Sequence, residues 1–155
     1  MNERVKNLIG WWKLKGEDEN DPFIKFIIFY ICFDAWITAQ SGEDQDTKKL
    51  LWFNNNNNCL KVKWSEIQSE ETKNWLNSLK SFSPIPDMRP GHEDKFRKLN
   101  NIEDLNQIIR FIYQIRCNLF HGSKSLMNPT DRNLVYFSGI ILEKWIKWAY
   151  LKCVI

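Results

Sequence analysis

Leu105, Ile108, Ile109, Ile112, Ile115 and Leu119 recur at the three- and four-residue steps that place side chains on one face of an α-helix. A strand would scatter the same residues over both its faces. The stripe therefore commits this stretch to a helix laid on an apolar neighbour. Asn101 (or Asn100) is placed to open that helix and Gly122 to stop it. Phe23 to Ala39 is apolar nearly all round and follows Asp21-Pro22, an N-cap before a first-turn proline. Its β-branched content leaves a strand open, but its length favours a helix, and such a helix belongs at the centre of a core. At 17 residues, with Lys25 and Asp34 inside it, the segment is short and charged for a membrane span.

The remaining pattern is also helical. Val5, Leu8, Ile9 and Trp12 have helical spacing over residues 3–15, ended by Gly16 and the acidic run that follows. Ser65 or Ser69 can cap a helix running to about Ser81, with Trp75, Leu76 and Leu79 inward. Asn128-Pro129 restarts a helix, and Leu134 to about Lys152 is long and aromatic. Residues 41–64 look least organised: an acidic stretch, a short Leu50–Phe53 patch and Asn54 to Asn58 as an exposed loop; a long Pro84/Pro86/Pro90 connection follows the helix that ends near Ser81. The fold class is all-α, a single domain of four or five helices with a long irregular insert at about 41–100.

Composition narrows the function classes. Apolar residues make up 43%, with eight Trp and ten Phe, which excludes a disordered chain. A net charge of +3 permits a nucleic-acid partner without demanding one. Residues 101–155 hold seven basic and four acidic side chains, so that segment is the more anion-friendly. Cys32, Cys59, Cys117 and Cys153 form no Cys-x-x-Cys pair, so neither a zinc site nor a disulfide framework is suggested, and buried free thiols in a reducing cytoplasm are expected. The N-terminal segment lacks a signal peptide's apolar core.

The chemistry-bearing stretch is Arg116-Cys117-Asn118-Leu119-Phe120-His121-Gly122. Arginine and histidine together can hold a phosphate and move a proton without a metal. Arg116 falls four residues after Ile112, on or beside the buried stripe, where an unpaired guanidinium is costly. It needs an acidic partner, a dimer mate or a bound anion. Asp34 is the other charge that sequence position puts in the core, so an Arg116–Asp34 ion pair is expected. That pair could pin two helices, orient Arg116 or His121 for chemistry, or do both. Five residues of continuous helix rotate His121 about 140° from Arg116. The two converge only if the helix ends or tightens near Leu119, or across a dimer. His121 also suits a C-terminal cap on the helix dipole. His92, in Arg89-Pro90-Gly91-His92-Glu93, has no neighbouring ligand set and reads as a loop residue. The aromatic final helix reads as core or dimer surface more readily than as a base-stacking platform.

The run Ile115 to Gly122, with Phe111-Ile112-Tyr113-Gln114 before it, resembles the Arg-x4-6-His motif of the HEPN superfamily in the branch ending Leu-Phe-His-Gly. The Phe23–Trp36 segment with Asp34 inside it is similar to that branch too. The likeness covers roughly residues 22–40 and 101–152. Many active members carry Asn, Asp or His directly after the Arg; this chain has Cys117 there and Asn118 one position later.

The resemblance implies a HEPN-like helical bundle acting as a metal-independent endoribonuclease. It needs no cofactor, and motifs from two subunits of a homodimer form one composite site. Arg116 would stabilise the pentavalent phosphate, and His121 would be general acid or base. Asn118 and Asp34 would support them: Asn118 by holding the RNA backbone or His121, Asp34 by orienting. Lys124 would contact a phosphate. RNA is then the substrate, cut by 2′-OH attack. The family's settings, toxin–antitoxin biology or host defence in the cytoplasm, add a possible antitoxin protein as partner and no membrane. A non-catalytic RNA- or nucleotide-binding module, or a structural dimerisation domain, is the alternative.

Overall fold

A computed structural model describes residues 1–122, 125 and 127–152. Eight helices and one pair of two-residue strands stand among them, so the chain is all-α in character. In order they are α1 (Glu3–Glu17), α2 (Pro22–Ser41), α3 (Asp46–Asn55), α4 (Cys59–Val62), α5 (Trp64–Ile67), α6 (Glu70–Lys80), β1 (Ile85–Pro86), β2 (Phe96–Arg97), α7 (Leu105–Phe120) and α8 (Pro129–Lys152).

Helix α2 begins where its sequence says it should. The Asp21 carboxylate accepts the backbone N–H of Phe23 and Ile24, and Gly42, at φ 73°, closes the other end. The helix is long and apolar enough to cross a membrane by length and composition, yet it is the central packing element, lying between α8 and α1. Phe26, Phe29, Cys32 and Trp36 are almost fully buried, and each such phenylalanine contributes about 1.5–3 kcal/mol by leaving water. Gly139 of α8 lies against Phe26, where an added Cβ would sit in ordinary van der Waals contact with the Phe26 backbone at 3.4 Å. A Lys25–Glu143 ion pair at 2.8 Å fastens the same two helices. Asn128 caps α8 through the N–H groups of Thr130 and Asp131, and the helix then continues unbroken to Lys152.

Five expectations need correction. Gly16 lies within α1 rather than ending it, and it is buried against Phe29 and Ile28 of α2. The glycine marks a close helix crossing, and Asp18 is the cap. Helix α7 opens at Asp104, whose carboxylate accepts from Asn106 and Gln107, rather than at Asn100 or Asn101.

Half of the supposed irregular insert is helical: besides the expected α6, helices α3, α4 and α5 stand there. Helices α3 to α6 place Phe53, Leu60, Trp64, Ile67, Leu76 and Leu79 in the common core. Asn54 and Asn55 end α3, while Asn58 is buried and caps α4 through the Lys61 N–H. Short helices escape periodicity, because four residues make barely one turn. Cys32 and Cys117 are buried free thiols, as expected, but Cys59 is disulfide-bonded.

Candidate functional site

Helix α7 carries Arg116 and ends at the His121 cap. The predicted stripe is inward: Leu105, Ile108, Ile109, Ile112 and Ile115 are all buried, with Leu119 half-buried. The opposite flank is buried too, at Phe111, Gln114, Cys117 and Asn118, because the segment between α6 and α7 lies over it.

Arg116 faces α2 and α3. Its Nη1 donates to Asp46 Oδ2 at 3.2 Å, and its guanidinium carbon stands 5.0 Å from the Phe120 ring centre, 5.5 Å from Tyr30 and 5.9 Å from Tyr113. A planar, weakly hydrated cation suits such an aromatic surround. Burial opposes its charge while the Tyr30 oxygen and the Asp46 carboxylate favour it, and its pKa moves up. Its Nε is buried without a hydrogen-bond partner, and the side chain keeps 30% exposure. The guanidinium is therefore held in place yet still reaches solvent.

Asp34 does not pair with Arg116. It accepts from Lys49 Nζ at 2.7 Å and is 40% exposed, whereas Lys49 is only 7% exposed. Lys49 also stands 3.7 Å from Asp46. A chain of alternating charges thus runs Asp34–Lys49–Asp46–Arg116. The expected direct pair failed because α3, taken as irregular sequence, inserts a lysine and an aspartate one turn apart between the two partners. The gap among Tyr30, Asp34, Lys49 and Tyr113 holds only about 10 Å3, room for at most a water. Ligand access to Arg116 must come from its exposed edge.

His121 is exposed, and its N–H still bonds to the Cys117 carbonyl at 3.1 Å. Because α7 runs through Phe120 without tightening earlier, Arg116 and His121 leave it about 140° apart. One chain does not bring them onto one face. Gly122, at φ 71°, takes the left-handed conformation that ends the helix.

Asn118 is fully buried and uses its amide on protein. Its Nδ2 donates to the Pro86 carbonyl at 2.8 Å, and its Oδ1 accepts from the Met88 N–H and from Gln114 Nε2, both at 3.0 Å. It clamps the segment before α7 onto the helix, and none of these bonds reaches His121. Lys124 lies outside the described residues. Among the described residues, no three His, Cys, Asp or Glu side chains stand close enough to hold a metal ion. Sequence reasoning missed Lys49 and Asp46; their Asp-x-x-Lys spacing was visible, but nothing in it pointed to Arg116.

No protein-family model, no curated protein and no solved structure matches this chain.

Proposed function

We propose that the protein is a metal-independent endoribonuclease of the HEPN kind, with a composite site formed by two copies. The observation that carries the reading is the placement of Arg116 and His121, both reaching solvent from the last turn and a half of α7 but on different faces. A two-fold axis beside this helix end would set Arg116 of one copy toward His121 of the other, since isologous contacts exchange such pairs. Arg116, held by Asp46 and the three rings, would bind the scissile phosphate and stabilise the charge that grows on it. His121 would take the proton from the 2′-OH or give one to the leaving 5′-oxygen. The product would be a 2′,3′-cyclic phosphate. A host-defence or toxin role, with an antitoxin protein as partner, belongs to the same proposal.

A second reading has its own support. Arg116 already has a carboxylate and three ring faces, which is what a structural or purely RNA-binding arginine would have.

Wild type and His121→Ala incubated with mixed tRNA and mRNA in EDTA separate the two. Cyclic-phosphate ends from wild type only are expected. Intact RNA in both samples, with Arg116→Ala lowering only the melting temperature, would overturn the nuclease reading in favour of the structural one.

A further inference from the structure

A second cluster of charge lies on the other flank of α7. The segment from Ile85 to Arg97 folds back on itself, with β1 and β2 pairing Ile85 to Arg97 and Pro86 to Phe96. The Asp87 N–H reaches the Lys95 carbonyl at 2.9 Å, and the Lys95 N–H reaches that of His92, also at 2.9 Å. Asn118 then locks this hairpin-like turn onto the helix. Between turn and helix opens a cleft of about 390 Å3, within the range of small-molecule sites.

Its wall carries Arg89, His92, Lys95 and Arg97 against one carboxylate, Asp87. Asp87 is 6% exposed, and both its oxygens are taken by the Nε/Nη2 edge of Arg89. That leaves the Nη1 side of the fork without a partner. His92 Nδ1 lies 3.1 Å from an Asp87 oxygen but out of hydrogen-bond alignment. Lys95 and Arg97 have no carboxylate partner among the described residues. The turn as a whole also carries Glu93 and Asp94, but neither lines the cleft; among the groups that do, three permanent cations stand against one buried aspartate, which is taken by Arg89. An anion entering the cleft would relieve the rest. Phe96, 58% exposed, also lines the cleft and offers a ring face of the kind on which nucleobases stack.

We infer that this cleft binds the phosphate of a nucleotide, with Lys95, Arg97 and the free edge of Arg89 on the phosphate and Phe96 against the base. The inference does not rest on the Arg116/His121 reading. Gln114 lines the cleft, and Arg116 lies about 200° farther round the same helix. The nucleotide can be free or part of an RNA strand; the phosphate chemistry is the same.

The test is a titration of the 15N-labelled protein, followed by amide shifts, with inorganic phosphate, 5′-AMP and a short single-stranded RNA. Saturable shifts are expected at residues 87–97 and Gln114. Affinity should fall about tenfold, or 1.4 kcal/mol, in Lys95→Ala/Arg97→Ala. Phe96→Ala should weaken AMP and RNA while leaving inorganic phosphate unchanged. RNA binding well above AMP assigns the cleft to a strand, and equal binding assigns it to a free nucleotide. Absence of saturable shifts with all three probes, or affinities unchanged in the double variant, overturns the inference. Lys95 and Phe96 are exposed, so these substitutions spare the core, whereas Arg89→Ala would strand a buried carboxylate and confound folding with binding.

Discussion

Arg116 on α7 donates to Asp46 on α3 at 3.2 Å, and Asp46 faces Lys49, whose ammonium is in turn taken by Asp34 on α2. The motif arginine is thus tied to α2 through two residues of a helix that the sequence pattern hid. Asp46 is the switch point of that chain: it shares its charge between a buried lysine and a half-exposed arginine.

Asp46→Ala should change stability by only about 0–1 kcal/mol, since its pair with Arg116 is part-exposed and screened. It should also free the guanidinium, so RNA affinity measured by filter binding should rise at low salt. A large loss of melting temperature with no gain in RNA affinity would mark the pair as structural.

Asn118→Ala should destabilise strongly. It strands the Met88 N–H and the Pro86 carbonyl, at about 1–3 kcal/mol for each buried group left unpaired. Urea unfolding should show the loss, and hydrogen exchange at Met88 should accelerate. Unchanged exchange there would mean that the clamp does not hold the turn.

Asp87 gives a pH signature. Hydrogen bonds from Arg89 hold its carboxyl well below the usual carboxylate range. Such a group binds fewer protons folded than unfolded, so its contribution is full above the unfolded value of about 3.9 and drains away as pH falls toward the folded one. The melting-temperature gap between wild type and Asp87→Asn should therefore hold from neutrality down to about pH 4 and narrow progressively below it. A gap that does not narrow on acidification would contradict an ionised Asp87.

Gly16→Ala should lower stability although alanine favours helices. Its Cβ would stand 2.7 Å from Phe29 and 2.9 Å from Ile28, inside contact distance. Overpacking of this kind costs about 1–3 kcal/mol, more than the propensity gain of roughly 1 kcal/mol. A thermal melt showing stabilisation would mean that α1 can back away from α2.

Much of the fold could be read from residue pattern. Asp21-Pro22 announced α2, Ser65 or Ser69 offered a cap for α6 and Ser69 supplies it, Asn128-Pro129 announced α8, and the isoleucine stripe of α7 is buried as its spacing requires. These signals are local, made by residues within one or two turns of each other, and a sequence displays such neighbours directly. Helices α4 and α5 gave no such signal, having only one turn each.

The candidate sites divide along the same line. Arg116 and His121 were visible as residue types, and their 140° separation followed from counting residues along a helix that does not break before Phe120. The partner of Arg116, the clamp made by Asn118 and the charged cleft around Asp87 were not visible. Asp46 is 70 positions from Arg116, and Pro86 is 32 from Asn118. Sequence alone determined the longer helices α1, α2, α6, α7 and α8 and the apolar faces that must be covered. Only the tertiary structure decided what covers them, because a long-range pair is chosen by packing and charge among many partners equally allowed by local pattern.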